Sequence, residues 1–453
     1  MKLSHALRLT RTASVAFVGG GGKTSAVFLA ARELAPALVT TSTHLAARQA
    51  HQADRHLIWH PDEPMPDVEP TSANHVTLVT GPHREDIARL TAPTPTQLEA
   101  LYHWAKTHHV PLFIEADGSR QRPLKAPAEH EPAIPPFVEN VVVTAGLRGL
   151  DRPLDENFIH RPHLFGALSG LQIGEIVNET AIVQVLTHPQ GGLRNIPYQA
   201  RRVVLFNQAD TAESQARAGK MATTLLKTFQ AVIIASIQRG QIYTAHERVA
   251  GIVLAAGAAT RYGKPKQLLD FRGEPFVRRI ANTALKAGLW PVIVISGAYA
   301  ESVEAAVRDL PITIVRNENW RAGQATSLQA GIQQVEALND EQLEGRTGQI
   351  GAAIFLLADQ PQITVHVLEA LKSKHDAGLY PIVAPLVADR RANPVLFDRV
   401  TFAELLKLQG DTGGRAVMRH FPVEYLPWHD ESLLLDVDNE NDYRKLLAWG
   451  VEE

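Results

Sequence analysis

Short apolar runs recur along the chain with polar or helix-compatible stretches between them. In the first half they fall at 37–41, 112–116, 141–144, 203–206 and 232–235, and in the second at 292–295, 312–315, 353–357 and 382–384. Runs of this length, bounded by turn residues and separated by helical patterns, predict buried strands of a mostly parallel α/β sheet. Twice the chain opens such a unit with a strand, a turn of small residues and a helix-compatible segment, first at 14–31 and again at 251–259. The two openings differ in sequence, so they predict a fusion and not an internal repeat. The polar stretch 238–248 between them is the best linker candidate, which predicts domains at 1–245 and 246–453.

A chain of 453 residues is too long for one ordinary core, in keeping with two domains. A net charge of -3 with no Lys/Arg block argues against a nucleic-acid partner. No run approaches the roughly 20 apolar residues of a membrane span, and the start lacks the apolar stretch of a signal peptide, so no membrane partner and a cytoplasmic location are expected. The absence of cysteine fits a reducing compartment and removes disulfides and iron–sulfur ligation from consideration. Nineteen histidines include no HExxH spacing, and no GxSxG elbow occurs, so neither a zinc nor a serine hydrolase is indicated.

The first opening runs an apolar strand into Gly19–Gly22, then Lys23 and Thr24. A P-loop needs this order, with glycine amides and a helix start around phosphates, a lysine on the outer phosphates and a hydroxyl on magnesium. Gly20, Gly22, Lys23 and Thr24 are therefore nucleotide-binding candidates for ATP or GTP. Phe17 stands where a full motif has glycine, so the loop is variant or shifted. Asp117, with Glu115 second, ends a strand as a magnesium carboxylate would. Asn207 and Asp210 resemble a GTPase base-recognition motif, but Gln208 replaces its lysine and leaves guanine specificity open. The Pro-rich stretch 118–136 is read as a lid or acceptor-binding loop with Arg122 and Lys125 as anion contacts, a surface cover being the other reading. Together GGGGKT, EADGSRxRPLKAPxxHEP and AGLxGLDRPLxxxxxHRP resemble the accessory proteins of selenium-dependent hydroxylases, over roughly residues 10 to 240. That resemblance implies a partner pathway, and by motif position it adds Asp151, His160 and Arg161 as substrate-site candidates.

The second opening, from Leu254 to Lys266, reads LxAGxxxRxGxxK. Leu254 leads into the small residues Ala255, Ala256 and Gly257, all four being nucleotide-binding candidates because such a loop lets amides close on a triphosphate, while Arg261 and Lys266 supply charge for a phosphoryl transition state. The loop resembles that of molybdenum cofactor cytidylyltransferases, molybdenum cofactor guanylyltransferases and sugar nucleotidyltransferases. The resemblance implies a Rossmann-like, glycosyltransferase-A-like nucleotidyltransferase domain beside a P-loop-like α/β domain. Asp359 ends an apolar strand as the expected catalytic metal carboxylate, and a further strand at 433–439 would carry Asp436 and Asp438 on one face. The segment 317–331 resembles the family's NxxWxxGxxxSLxxG, with Gly323 and Ser327 as nucleotide contacts, and Trp320 reads as packing. Asn393 in NPVLF and Arg415 in GDTGGR are candidate contacts to a pterin acceptor. LADQP resembles the cytidylyltransferase branch, which implies CTP with Mg2+, molybdopterin as acceptor, and transient contact with a molybdenum hydroxylase apoprotein. The competing reading is a sugar or polyol phosphate nucleotidyltransferase fused to a nucleotide-gated chaperone.

Overall fold

The structure, a computed structural model, describes residues 1–69, 72–84, 89–258, 262, 264–340 and 349–449. Among them, Met1–His246 form one compact unit and the residues from Glu247 onward a second.

The first unit is built on eight parallel strands. Ser14–Gly19 lies between Leu112–Glu115 and Asn140–Gly146. Beyond Asn140–Gly146 come Arg201–Asn207 and Ala231–Ser236. On the other side, Leu112–Glu115 is followed by Ala37–Thr41, Val76–Thr80 and Arg55–Ile58. Strands such as Ala37–Thr41 and Ala231–Ser236 are buried at every position. Such strands are covered on both faces, so they read as unbroken apolar runs and not as alternation. Helices supply the cover. Pro95–Thr107 starts where Thr94 Oγ1 accepts from Gln97 N at 3.3 Å and Gln97 Oε1 accepts from Thr94 N at 2.9 Å, with proline in the first turn.

In the second unit, the strand Gln241–Leu254, from Arg248 onward, pairs in parallel with Val292–Ser296 on one side and Ile350–Leu357 on the other. Thr313–Arg316 extends the first side. On the second, Val395–Asp398 is antiparallel to Ile350–Leu357 and to Ile382–Val387, beside which Val423–Pro427 runs parallel. The apolar runs expected as strands are strands in both units.

Two expectations fail. The stretch 238–248 is not a free linker: the turn Ile237–Arg239 leads directly into the strand Gln241–Leu254. Ala245, Glu247 and Val249 alternate inward there, and a glutamate on the buried side hides the pattern in the sequence. The segment 433–439 is likewise no strand. Glu431–Leu434 forms a 3-10 turn, and the backbone beyond it is held by a side chain in place of a neighbouring strand. Among the described residues no helix is long and apolar enough to cross a membrane.

Candidate nucleotidyl-transfer site

From Gln241–Leu254 the second unit adds strands outward on one side and then returns on the other at Ile350–Leu357. Ligands of open α/β sheets bind at the carboxyl ends of strands where the order reverses. A cleft of about 750 Å3 opens there, walled by Leu254, Ala256, Gly257, Asp359, Gly323 and Ser327 with Lys266 at its base. That size suits a nucleotide.

The loop after Leu254 is fastened from behind. Ala255 N donates to Ile295 O at 2.9 Å, Gln267 Nε2 donates to Ala255 O at 3.1 Å and Gly257 O at 2.6 Å, and Tyr299 Oη donates to Ala258 O at 3.1 Å. Ala255 is thereby buried beneath the loop and is not part of the cleft wall. A Cβ on Gly257 would meet nothing within 4 Å, so the loop faces open space at that point. Arg261 lies outside the described residues.

Lys266 Nζ stands 2.6 Å from Asp438 Oδ1 and 3.8 Å from Asp359 Oδ2. Asp436 is turned to another partner, accepting from Gln360 Nε2 at 2.6 Å. Two carboxylates therefore flank one ammonium, with a third, Asp436, held nearby by Gln360. Burial pushes the Asp359 carboxyl up to about 6 despite the attraction of Lys266, and Asp436 adds to the rise. Burial also raises Asp436, against the hydrogen bond from Gln360. Hard oxygen donors with surplus negative charge suit a divalent cation, which would take the place of the proton Asp359 tends to hold. Among the described residues no three His, Asp or Glu side chains converge as a ready-made cage, so such an ion would need the phosphates of its substrate to complete its shell.

Gly323 has φ +110, and a Cβ there would run into the carbonyl of Gly410. This close approach seats the GDTGG turn on the start of the helix Gln324–Asp340, where Ala325 N donates to Gly410 O at 3.1 Å and Asp411 reaches the cleft. Asn317 Nδ2 donates to Thr326 Oγ1 at 2.8 Å and to Ser327 Oγ at 3.0 Å, orienting the serine. Trp320 packs against the core and also borders the cleft, with the Arg321 guanidinium 4.5 Å from its ring centroid. Asn393 and Arg415 do not line this cleft. Tyr262 points to Glu440, donating to Oε2 at 2.6 Å. Sequence reasoning passed over three glutamines: Gln267, Gln360 and Gln362, the last donating to Ser432 O at 3.0 Å and Leu435 O at 2.8 Å. Their only signal was their place inside or beside the motifs.

In the first unit the strand order reverses around Ser14–Gly19, and the glycine turn leads into the helix Lys23–Glu33. Gly22 has φ +105, and a Cβ on it would lie 2.6 Å from Asn207 Nδ2. Asn207 braces the turn, donating to Gly21 O at 2.7 Å while its Oδ1 accepts from Ile237 N at 2.9 Å. Gly20 N donates to Thr144 O at 2.8 Å and Gly21 N to Arg122 O at 3.0 Å, so these two amides already have protein acceptors. The helix start remains available to an anion, since no side chain caps it. Thr24 Oγ1 donates to Glu115 Oε2 at 2.6 Å, and burial pushes that carboxyl up. Glu115, the second choice from sequence, is thus the carboxylate beside the hydroxyl. Asp117 instead accepts from Gly19 N at 3.0 Å and lies 3.1 Å from Lys23 Nζ and 2.8 Å from Lys125 Nζ.

Lys125 is no open anion contact. It is buried, donates to Gly118 O at 2.6 Å and pairs with Glu131 at 2.6 Å, because the stretch 118–136 is not a loose lid. Leu124–Lys125 pairs with Ile159–His160, and Ala133 N donates to Ala116 O at 3.1 Å. Burial would raise Glu131, but hydrogen bonds from Arg161 and Lys125 outweigh it and hold the carboxyl at about 2. Burial lowers His160 to about 4, with the charges of Arg161 and Lys125 adding to the effect. Asp210 accepts from Arg148 NH2 at 2.8 Å and Ser236 Oγ at 2.7 Å, so its oxygens are engaged. Asp151 pairs with Arg217 at 2.9 Å and does not join Lys125 and His160.

Residues 15–163 match the family described as YqeC protein, and residues 251–427 match the MobA-like NTP transferase domain. The chain is 31% identical over 209 residues to the uncharacterized protein YqeC of Escherichia coli, covering 45% of this chain and 79% of that protein. It is 32% identical over 208 residues to the nicotine blue oxidoreductase of Paenarthrobacter nicotinovorans, covering 44% of this chain and 96% of that one. It is 30% identical over 212 residues to a Bacillus cytotoxicus protein named "Probable molybdenum cofactor guanylyltransferase", again covering 44% and 96%.

Proposed function

The chain belongs to the YqeC protein family in its first part and carries a MobA-like NTP transferase domain in its second, and from that premise we propose that it matures the molybdenum cofactor. The second unit transfers CMP from CTP to the terminal phosphate of molybdopterin. The first is a nucleotide-binding accessory of the same pathway, working beside a molybdenum hydroxylase apoprotein. The observation that carries the reading is Lys266 set between Asp359 and Asp438 in the cleft at the strand reversal. The name of the Bacillus cytotoxicus relative supports the molybdenum cofactor as acceptor; since that name specifies guanylyl transfer, CTP over GTP rests on the resemblance of LADQP alone.

In the reaction an acceptor phosphate oxygen attacks the α-phosphorus of CTP, and the bond to the β-phosphate breaks to release pyrophosphate. The acceptor brings its own nucleophile, so positioning and charge stabilisation suffice. A magnesium ion held by Asp359 and Asp438 would neutralise phosphate charge when bound. Lys266, exchanging its carboxylate partners for phosphate oxygens, stabilises the departing pyrophosphate. The loop 254–258, fastened by Gln267, presents small residues to the triphosphate, and Ser327, oriented by Asn317, faces the nucleoside end. The test is pyrophosphate release by the full chain with each NTP, offered molybdopterin or sugar phosphates. CTP with molybdopterin should be the best pair. Preference for GTP, or turnover with sugar phosphates but not molybdopterin, rejects the assignment.

A further inference from the structure

We propose that the first unit holds a separate binding site for a phosphate monoester, in the cleft walled by Arg89, Arg120, Arg122 and Arg161. The cleft measures about 370 Å3 and is also bordered by His44, His160, Glu131 and Glu156. None of Gly20, Gly22, Lys23 or Thr24 lines it, so it is not the glycine turn. Its volume exceeds that of a lone phosphate ion and lies in the range of small-molecule pockets, so the ligand carries an organic part.

Charge selects the ligand. Among the described residues, four guanidinium groups line the cleft with two carboxylates, and one of these, Glu131, is already bound by Lys125 and Arg161. Among the described residues nothing hydrogen-bonds or ion-pairs with the side chains of Arg120 and Arg122, so no described group competes with a ligand for their forks. A guanidinium fork matches phosphate geometry two bonds at a time. A dianion would balance the surplus of two positive charges. Both histidines are depressed, His160 by burial, Arg161 and Lys125, and His44 by burial and then Arg89 and Arg84, as expected in a pocket of positive potential.

The backbone is also committed to this arrangement. Arg120, Gln121 and Arg161 have φ of +49, +63 and +65, a conformation that disfavours side chains and persists only where the surroundings enforce it. Arg122 N donates to Ser119 O at 3.0 Å, closing the turn that projects Arg120 and Arg122 into the cleft. Beneath them Arg161, Glu131, Lys125, Asp117 and Lys23 form a row of alternating charges that anchors the floor without supplying free donors.

The test is calorimetric titration of the full chain at low salt with inorganic phosphate and, separately, phenyl phosphate. Both should bind, and the double variant Arg120→Gln/Arg122→Gln should weaken binding by at least about tenfold, since each arginine gives charge-assisted hydrogen bonds. Thr24→Ala and Lys266→Ala should leave this binding in place, which separates it from the glycine turn and from the transfer cleft. Phenyl phosphate should bind more tightly than inorganic phosphate, and equal or weaker affinity overturns an organic ester as the ligand. Circular dichroism of the double variant should match wild type, and in the wild type phenyl phosphate should raise the pKa of His160 observed by NMR. Unchanged affinity in a folded double variant overturns the proposal. So does loss of binding in Thr24→Ala or Lys266→Ala, or no binding of either probe to wild type.

Discussion

Replacing Asp359 with asparagine should make the second unit more stable and at the same time inactive. The carboxyl of Asp359 rises from its ordinary 3.8 to about 6 because burial beside Asp436 and Asp438 disfavours its charge more than Lys266 favours it. A rise of that size corresponds to at most about 3 kcal/mol at 1.36 kcal/mol per pKa unit. About a third of the side chain, 32%, is open to water, and screening brings the expected effect to about 1–2 kcal/mol. The sign follows from which state ionises first. The unfolded chain loses this proton near pH 4 and the folded one near 6, so the penalty is absent below about pH 4, grows between the two values and is complete above 6. Asparagine cannot ionise and escapes it. Calorimetric melting of the full chain without divalent metal should show the second unit's transition rise by about 3–6 °C at pH 7.5, and little change at pH 4.5. Mg2+ added together with a non-hydrolysable CTP analogue should stabilise wild type beyond the analogue alone, increasingly so from pH 5 to 7 as Asp359 ionises, and should not do so for the variant. A variant that melts at or below the wild-type temperature at pH 7.5, or that gains as much from Mg2+, would refute the reasoning.

Asp359→Ala and Lys266→Ala should each lower cytidylyl transfer by about 10²-fold or more, measured as pyrophosphate release at saturating Mg2+. Because both act on one triphosphate, the double variant should fall well short of the product of the single effects. Lys23→Ala should weaken triphosphate binding to the first unit, read by calorimetry, while pyrophosphate release by the full chain stays near wild type; equal affinity would remove the phosphate role from the glycine turn. Gly323→Ala should destabilise the second unit by about 1–3 kcal/mol in urea melts and raise KM for the nucleotide, since its φ of +110 and the Gly410 carbonyl leave no room for a Cβ.

What could be read in the sequence was whatever depends on neighbours along the chain. Unbroken apolar runs such as 203–206 and 232–235 marked strands because a central parallel strand buries both faces. The two small-residue openings marked the places where strand order reverses, although after Leu254 the next α-helix is Phe276–Lys286. Pairings over long separations left no local trace: Lys266 meets Asp438 across 172 positions and Thr24 meets Glu115 across 91. Asp117 outranked Glu115 in the sequence because both end the same apolar run, and only the fold shows Asp117 given to two lysines. The proline-rich stretch 118–136 looked loose because proline excludes helix and central strand, yet ion pairs and a two-residue bridge fix it instead. Segment 433–439 misled in the opposite way, having the alternation of a strand with no neighbouring edge to pair with.

The amide of Gln362, reaching 70 and 73 residues ahead to Ser432 and Leu435, also sets a timetable. As the chain leaves the ribosome, the small-residue loop, Lys266 and Asp359 emerge before the segment that carries Asp436 and Asp438. Until that segment docks on Gln362, the cleft has its walls but Lys266 has no partner in Asp438. Under the proposed function, a half-made chain would lack the carboxylate beside Lys266, and transfer would wait on the arrival of one short stretch of backbone.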